Sequence, residues 1–504
     1  MSERRLTNLS EYFQKSKGHL PALQLIFETG SAGRSGFFWP DNPKTKPEWI
    51  PARFLRDDIP GFPELGELEV MRHFTRLSHL NYSIEGQFYP LGSCTMKYNP
   101  KINEVVARLT GLSLLHPLAP LPLIQGALEL LRGLERMLAE ICGMDHVTLQ
   151  PAAGAQGEMT GLMMVRAYLS ARGNPRRKIL IPDTAHGTNP ASSTLCSYEV
   201  VQVPSNDRGI IEAKKVKEVM DEEVAGLMIT NPNTFGIFEQ DIQAIAEIIH
   251  EKGGLIYMDG ANLNALMGIA KPGDMGVDLL HMNLHKTFST PHGGGGPGAG
   301  PVGVKGFLQD YLPVPRIIQG AEGYELSEDF PKSVGRVRSF FGNFGILVRA
   351  YSYIISLGSD GLEEASRMAL LNANYVRSRL KEHYHVPYSE PCLHECVFTD
   401  RLQQKHGVHT IDIAKRLLDY GFHPPTIYFP LVVSGAIMIE PTETESPETL
   451  DAFIDALISI AREAKESPSL VKSAPHTTPV GRLDETRAAR NLILRWNPSK
   501  EDGK

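Results

Sequence analysis

The middle of the chain, from residue 146 to residue 305, alternates short apolar runs of β type with runs of helical periodicity. Seven runs of the first kind occur, at residues 147–150, 178–182, 200–203, 226–230, 255–259, 280–284 and 298–304. Between several of them lie helical runs, at 157–172, 213–222 and 241–250. This succession favours a sheet buried between helices, because parallel strands need long crossover connections. The sequence therefore predicts an α/β fold whose large domain contains a mostly parallel seven-stranded sheet.

The regions on either side of this pattern predict two further parts. Residues 1–60 mix polar, proline and aromatic positions, which is typical of an extended arm. Residues 343–383 read as long helices, and residues 384–460 again mix strands with helices. We therefore expect an N-terminal arm and loop segment over 1–115, a large domain over 116–345, and a smaller C-terminal α+β domain with a polar tail over 346–504.

Charge and cysteine content exclude several classes of protein. The 51 basic and 58 acidic residues give a net charge of −7, so the basic surface of nucleic-acid or membrane-surface proteins is not expected. No apolar run reaches the length of about 18 residues needed for a membrane span, and no secretory signal is recognised. Five cysteines argue against a disulfide framework and fit a cytoplasmic protein. No metal site is expected, because Cys392, His394 and Cys396 would need further ligands.

The carboxyl ends of the predicted strands are the expected ligand-binding edge, as in other open α/β sheets. After the first strand, the small residues of segment 150–158 lead into a helix, whose first N–H groups suit a phosphate or another anion. The segment matches neither a Walker motif nor a GxGxxG pattern, so it does not predict a nucleotide site. After the second strand, a loop rich in turn-forming residues carries His186 to the same edge.

Two charged residues follow neighbouring strands at this edge. Asp259 ends an otherwise apolar strand, which is a costly position unless a cation or several donors meet its carboxylate. Lys286 comes 27 residues later, about one crossover and one strand further on, so both side chains are expected to project into one crevice. Six glycines then fall within residues 293–300, which predicts backbone lying close to something bulky.

Pyridoxal phosphate is a cofactor that uses all of these residues. It needs a lysine for an internal Schiff base and a carboxylate that keeps its pyridine nitrogen protonated, and Lys286 and Asp259 supply them. Residues 154–157 offer N–H groups for its phosphate, and His186 offers a flat ring to stack on the cofactor. The protonated cofactor accepts the electron pair released when a bond to an amino-acid Cα breaks.

Longer stretches of the sequence carry a family resemblance. They lie at residues 89–97, 150–158, 185–191, 258–262, 283–288, 336–343, 439–445 and 482–490. Through them the chain resembles, over nearly its whole length, the pyridoxal-phosphate subunit of glycine dehydrogenase (decarboxylating), the P-protein family of the glycine cleavage system. The resemblance is to the cofactor-bearing subunit of the two-subunit bacterial form.

The resemblance implies a fold-type I pyridoxal-phosphate enzyme of glycine catabolism. Glycine would form an aldimine with the cofactor and lose its carboxylate as CO₂. The aminomethyl group would then pass to the lipoyl arm of the H-protein, reducing the lipoyl disulfide.

The resemblance also implies roles for individual residues. The expected catalytic residues are Lys286, covalently bound to the cofactor, Asp259 and His186. These three are also expected to contact the cofactor, together with Ala155, Gln156, Ala261 and His285. Ser93, Thr95 and His292 are expected to line the substrate site. The segment that carries Ser93 and Thr95 would thus reach the active site from the N-terminal part of the chain.

The family resemblance also implies binding partners, and it leaves alternative functions to be weighed. Single-chain relatives contain two homologous halves, so this chain is expected to pair with a lysine-lacking subunit 1 in a two-plus-two heterotetramer, with its arm and tail wrapping the partner. The lipoylated H-protein and glycine are its other expected partners. The alternatives are another fold-type I decarboxylase, a desulfurase, or an inactive scaffold. A desulfurase needs a cysteine on a mobile loop, and the intact Asp259 and Lys286 argue against a scaffold.

Overall fold

The computed structural model describes residues 25–36, 50–56, 61–293 and 298–494. Two compact units divide the chain, one ending at Gln87 and the other beginning at Phe88. Much of the predicted N-terminal arm, residues 294–297 of the glycine-rich stretch and the last ten residues of the tail lie outside the described residues. The three predicted domains, with boundaries after residues 115 and 345, therefore stay a prediction.

The first unit contains one α-helix among its described residues, α1 (Glu67–Ser78). The helix begins after Gly66, whose N–H donates to the Glu69 carboxylate at 2.8 Å and so closes the first turn. Glu69 also pairs with Arg34 from the segment before the helix.

The second unit contains a seven-stranded sheet. Its strands are β1 (His146–Thr148), β2 (Lys178–Pro182), β3 (Glu199–Val203), β4 (Val224–Thr230), β5 (Leu255–Gly260), β6 (Leu279–Met282) and β7 (Val302–Val304). They lie in the order β1-β7-β6-β5-β4-β2-β3. Only β7 is antiparallel to its neighbours, β1 and β6. The predicted α/β fold with a mostly parallel seven-stranded sheet is confirmed.

Helices cover both faces of this sheet. Those that precede or pack on it are α2 (Lys101–Ala107), α3 (Thr110–Ser113), α4 (Gln125–Cys142), α5 (Gly154–Ala171), α6 (Thr188–Leu195), α7 (Ala213–Val219), α8 (Ile242–Glu251) and α9 (Phe344–Leu380). In β5, Ile256 and Met258 share a core with α4 and α8, whereas Leu255 and Tyr257 share a core with α5 on the other face. The strand is apolar throughout because both of its faces are buried.

Three of the helices between the strands of the large sheet differ from the sequence prediction, and one of them, α7, ends at Val219 rather than at residue 222. Helix α5 begins at Gly154, three residues before the predicted start. Helix α6 was not predicted at all, because its first turn contains Pro190 within a run of turn-forming residues. Proline is tolerated in the first turn of a helix, where its missing N–H would have no helical acceptor.

A smaller antiparallel sheet follows in the chain. After the hairpin β8 (Arg316–Gly320) and β9 (Gly323–Ser327) come β10 (Cys396–Thr399), β11 (Thr426–Ile427) and β12 (Ala436–Ile439), in the order β10-β12-β11. The last helices are α10 (Thr410–Asp419), α11 (Pro447–Glu466), α12 (Pro468–Ser473) and α13 (Glu485–Arg490). The expected mixture of strands and helices in this region is confirmed.

Helix α9 joins the cores of the two sheets. Its first half places Leu347 and Tyr353 in the core of the large sheet, and its second half places Val376 and Leu380 in the core of the small one. Gly358, between the halves, has a positive φ of 64° and breaks the helical geometry. None of the helices in the described part of the chain is long and apolar enough to cross a membrane.

Candidate active site

Asp259 is buried at the carboxyl end of β5 and is surrounded by donors. Its Oδ2 accepts a hydrogen bond from Asn189 Nδ2 at 2.9 Å, and its Oδ1 accepts one from the Ala261 N–H at 3.0 Å. Burial alone would raise the pKa of Asp259, but the electrostatic interaction with His281, the two donors and the charge of Lys286 together lower it. The buried carboxylate is therefore an anion, as its unusual position in an apolar strand predicted.

A second layer of polar groups lies behind Asp259. His281 Nε2 is 3.3 Å from Asp259 Oδ1, and His281 Nδ1 is 2.9 Å from the Tyr257 hydroxyl. Glu158, from α5, lies in the same cluster and accepts hydrogen bonds from Thr188 and Ser192 of α6. Sequence reasoning did not single out His281 or Glu158. For His281, the sequence did contain a signal, because it is the one polar residue in the otherwise apolar strand β6.

Lys286 lies in the turn after β6, near the Asp259 carboxylate. The turn is closed by the Lys286 N–H, which donates to the Asn283 carbonyl at 3.0 Å. The charge of Lys286 lowers the pKa of Asp259, and it also opposes the rise in pKa that burial causes at Cys94 and Glu440. Lys286 thus lies among acidic groups contributed by the large sheet, the small sheet and the segment around residue 94.

Two imidazoles flank Lys286 and are neutral. The rings of His285 and His292 meet edge to face, with 5.0 Å between their centroids. Burial, helped by the nearby positive charges, lowers the pKa of His285 to about 3 and that of His292 to about 4. Both rings remain uncharged near neutral pH, so neither adds positive charge beside the lysine.

The start of α5 offers N–H groups to an anion. The first backbone hydrogen bond of this helix runs from Gly157 to Ala153, so the N–H groups of Gly154, Ala155 and Gln156 have no acceptor within the helix. The Gln156 side chain is used otherwise: it accepts from the Ala152 N–H and donates to the Val337 carbonyl, each at 2.6 Å. Of its groups, the backbone N–H is the one available to a phosphate.

Glycines near the site are required by close packing within the chain. A Cβ on Gly154 would lie 2.5 Å from Asn283 Oδ1, and one on Gly157 would lie 2.8 Å from the Gly300 carbonyl. One on Gly260 would lie 2.6 Å from the His281 carbonyl. At these three positions the close neighbour that excludes a side chain is the protein itself.

Gly157→Ala is expected to lower the free energy of unfolding by about 1–3 kcal/mol, because the new methyl meets backbone that cannot easily move. Chemical denaturation would measure this change. Gly126→Ala is the matched control, since Gly126 lies near the start of α4 with open space around it. An unchanged midpoint for Gly157→Ala would contradict the packing argument.

His186 lies exposed at the rim, just before α6. Its Nδ1 is 2.8 Å from Thr188 Oγ1, and its ring meets Phe429 of the small-sheet region edge to face at 5.5 Å. Two and three residues further along the chain, Thr188 and Asn189 donate hydrogen bonds to Glu158 and Asp259. Among the described residues, Thr188 and Phe429 therefore hold the His186 ring in place, and Phe429 does so from the small-sheet side of the site.

The segment carrying Ser93 and Thr95 is attached to the small sheet. Leu91 forms an isolated bridge with Ile439, the last residue of β12. Ser93 and Thr95 have positive φ values of 66° and 48°, an uncommon conformation that turns their N–H groups toward two glutamates. The Ser93 N–H donates to Glu395 at 2.9 Å, and the Thr95 N–H donates to Glu440 at 3.0 Å.

Two family models match the chain. "Glycine cleavage system P-protein" matches residues 50–324, and "Glycine dehydrogenase, C-terminal domain" matches residues 365–476. Curated relatives include a probable glycine dehydrogenase (decarboxylating) subunit 2 from Caldanaerobacter subterraneus, which is 55% identical over 94% of this chain and 98% of its own length. The protein of the same name from Listeria monocytogenes is also 55% identical, with the same coverage.

Solved structures share the fold. The chain is similar to a glycine decarboxylase (P-protein) of the glycine cleavage system in inhibitor-bound form, with a TM-score of 0.68, 21% identity, and coverage of 82% of this chain and 94% of that one. A glutamate decarboxylase from Lactobacillus brevis gives a TM-score of 0.64 at 16% identity, covering 89% and 99%. A cysteine desulfurase from Escherichia coli gives 0.59 at 14%, covering 77% and 98%. At these identities the likeness concerns the fold alone, so the decarboxylase and desulfurase alternatives gain no support from it.

Proposed function

The chain belongs to the glycine cleavage system P-protein family, and we propose that it decarboxylates glycine and transfers the remaining aminomethyl group to the lipoyl arm of the H-protein. The family makes it an enzyme of the glycine dehydrogenase (decarboxylating) class. The observation that carries the proposal is the anionic, buried Asp259 close to Lys286 at the edge of the sheet where α/β folds bind ligands.

The family implies pyridoxal 5′-phosphate as the cofactor, and the donor set fits it. The N–H groups of Gly154, Ala155 and Gln156 have no acceptor within α5 and suit its phosphate. The Asp259 carboxylate suits a protonated pyridine nitrogen, and Lys286 offers the amine for covalent attachment. When bound, pyridoxal phosphate supplies a conjugated ring that accepts the electron pair left when the bond between the glycine Cα and its carboxylate breaks.

Asp259 acts through its charge. Because Asn189 and Ala261 already hold its two oxygens and His281 lies behind it, the carboxylate keeps one position and one charge state. It would hold a proton on the nitrogen of the bound ring. The buried surroundings strengthen this interaction, since little water competes for the carboxylate.

Lys286 acts through its amine. Its Nζ would leave when glycine enters and return when product leaves. The rings of His285 and His292 would lie beside the amine, and because both are neutral they would not repel it when it is protonated. We assign His186, from its place at the rim, to the cofactor's ring face, and Ala261 and His285 to its surroundings.

Partners are proposed from the names of the relatives. Because they are called subunit 2, we infer a separate partner subunit, and we assign it as subunit 1 in a two-plus-two heterotetramer. The lipoylated H-protein would be the second partner, and the cytoplasm the compartment.

Exchange of labelled bicarbonate into the carboxyl group of glycine tests the function. We expect exchange when this chain, subunit 1 and lipoylated H-protein are combined, because CO₂ release is reversible while the aminomethyl group stays bound. H-protein without its lipoyl group is the control and should not support exchange. Exchange with another amino acid but not with glycine would overturn the proposal.

A further inference from the structure

Two buried glutamates meet at one end of the small sheet. Strands β10 and β12 are antiparallel, with Cys396 opposite Ile439, so the register makes Glu395 and Glu440 the next pair. Their side chains are 4% and 0% exposed. A carboxylate oxygen of each, together with a ring nitrogen of His394, lies within 4.8 Å of the other two. Two carboxylates that close cannot both stay ionised without strong compensation.

Hydrogen bonds divide the pair into an anion and an acid. Both oxygens of Glu440 accept: Oε2 from the Thr95 N–H at 3.0 Å, and Oε1 from the Thr95 hydroxyl at 2.8 Å and from Asn262 at 2.9 Å. Glu395 accepts through Oε2 from the Ser93 N–H, while its Oε1 lies 3.8 Å from His394 Nε2, beyond hydrogen-bond distance. Glu395 therefore receives fewer hydrogen bonds than Glu440, and its Oε1 is the oxygen of the pair that is best placed to carry a proton.

The surrounding charges agree with this division. Burial, and then the charge of Glu440, raise the pKa of Glu395 well above its ordinary value, although Lys286 and the Ser93 N–H oppose the rise. Burial raises the pKa of Glu440 to about 7 against the same lysine and three hydrogen bonds. Burial lowers the pKa of His394 to about 3, so this ring brings no positive charge, and burial raises the pKa of the Cys94 thiol. Cys392, behind Glu395, adds to the rise at that carboxyl.

The proposed function needs one proton. After loss of CO₂, the electron pair on the glycine Cα forms a bond to one lipoyl sulfur. The S–S bond breaks with its electrons on the second sulfur, which must gain a proton to become a thiol. The glycine carbon is oxidised, the disulfide is reduced, and one proton is consumed.

We propose that Glu395, paired with Glu440, is the acid that gives its proton to the departing lipoyl sulfur. This assignment rests on the proposed function. Asn262, three residues after Asp259 at the carboxyl end of β5, donates to Glu440 Oε1 at 2.9 Å, which places the pair at the edge of the large sheet that carries Asp259. The charge of Lys286 acts on both carboxyls, in agreement with this placement. Solvent restores the proton on Glu395 after each turnover. A metal ion in the cluster is disfavoured, because both Glu440 oxygens are already occupied and the lysine adds positive charge.

Glu395→Gln tests the assignment in the assembled complex. Glutamine keeps an oxygen for the Ser93 N–H but has no proton to give, so we expect aminomethyl transfer to fall about 10²- to 10³-fold. Glycine binding, followed by the change in cofactor absorbance, should stay within a few-fold. Wild-type transfer should decline as the pH rises through the pKa of Glu395, and this decline should be absent from the variant. Glu445→Gln is the matched control, since burial also raises the pKa of Glu445 to about 7 but Glu445 lies outside the cluster.

An infrared measurement needs no turnover. At a pH well above 7, where Glu440 and Glu445 with pKa values of about 7 are ionised, the wild-type protein without cofactor should still show the carbonyl band of a protonated carboxylic acid. Glu395→Gln should remove this band, whereas Glu445→Gln should retain it. Retention of that band in Glu395→Gln, or normal transfer by Glu395→Gln, would overturn the acid assignment alone. Absence of glycine exchange in the wild-type complex would instead overturn the proposed function, and the acid assignment with it.

Discussion

Lys286→Ala should abolish the visible absorbance band of the lysine-linked cofactor and reduce glycine exchange on the order of 10⁴-fold or more. The amine of Lys286 would be lost as attachment point, leaving group and returning nucleophile at once. The phosphate contacts at the start of α5 and the Asp259 carboxylate would remain, so residual cofactor should bind without the covalent linkage. Absorbance spectra of the purified protein and exchange assays with H-protein measure both effects.

Lys286→Arg is the control that separates charge from chemistry. It keeps the positive charge that acts on Asp259, Glu395 and Glu440 but removes the reactive amine. We expect it to lose exchange as completely as the alanine variant. A Lys286→Ala protein that keeps the absorbance band and its exchange activity would show that another lysine binds the cofactor.

Asp259→Asn has the second largest expected effect, a fall in exchange of about 10²- to 10⁴-fold. An amide cannot hold a proton on the cofactor's nitrogen, so the ring would accept electrons poorly. Because the pKa of Asp259 is lowered, its carboxylate is already ionised throughout the working range. The loss should therefore be equally large at every pH near neutrality, and a pH series of exchange rates would measure it.

Asp278→Asn offers a matched comparison at the other end of the same sheet. Asp278 is also buried, and it accepts hydrogen bonds from the Ile256 N–H at 2.7 Å and from His250 at 2.8 Å. It precedes β6, away from the carboxyl ends of the strands. We expect it to lower thermal stability with little change in exchange per folded molecule. Equal loss of exchange in both variants would indicate that Asp259 serves the fold rather than the chemistry.

The large sheet was predictable because its strands are apolar on both faces. Strands β2 and β5 agree with the predicted runs within one residue, since a buried strand leaves an uninterrupted apolar signature. Helix α6 was missed because Pro190 reads as a loop signal even where a first helical turn accepts it. Local composition therefore predicted the sheet well and the helix starts less well.

The candidate site was predictable only in part. Asp259 and Lys286 follow adjacent strands of one sheet, so simple topology brings them together. The pairing of Glu395 with Glu440 depends on the register of β10 and β12, and their donors come from Ser93 and Thr95, which lie 302 and 345 residues away along the chain. No short-range pattern in the sequence reports such contacts. His281 was missed for a related reason, since a histidine in a strand does not reveal which carboxylate it faces.

Helix α9 leaves the lysine and the aspartate on one hydrophobic core and the glutamate pair on another. Apart from the hydrogen bond from Asn262 to Glu440, a substitution that loosens one core need not disturb the side chains anchored in the other. The residues proposed to bind the cofactor and the residue proposed to donate the proton can therefore change independently during evolution. The acid on the small sheet could be replaced to suit a different acceptor while Asp259 and Lys286 stay unchanged. We expect natural variation among homologous folds to accumulate on the glutamate side of Gly358 sooner than on the aspartate side.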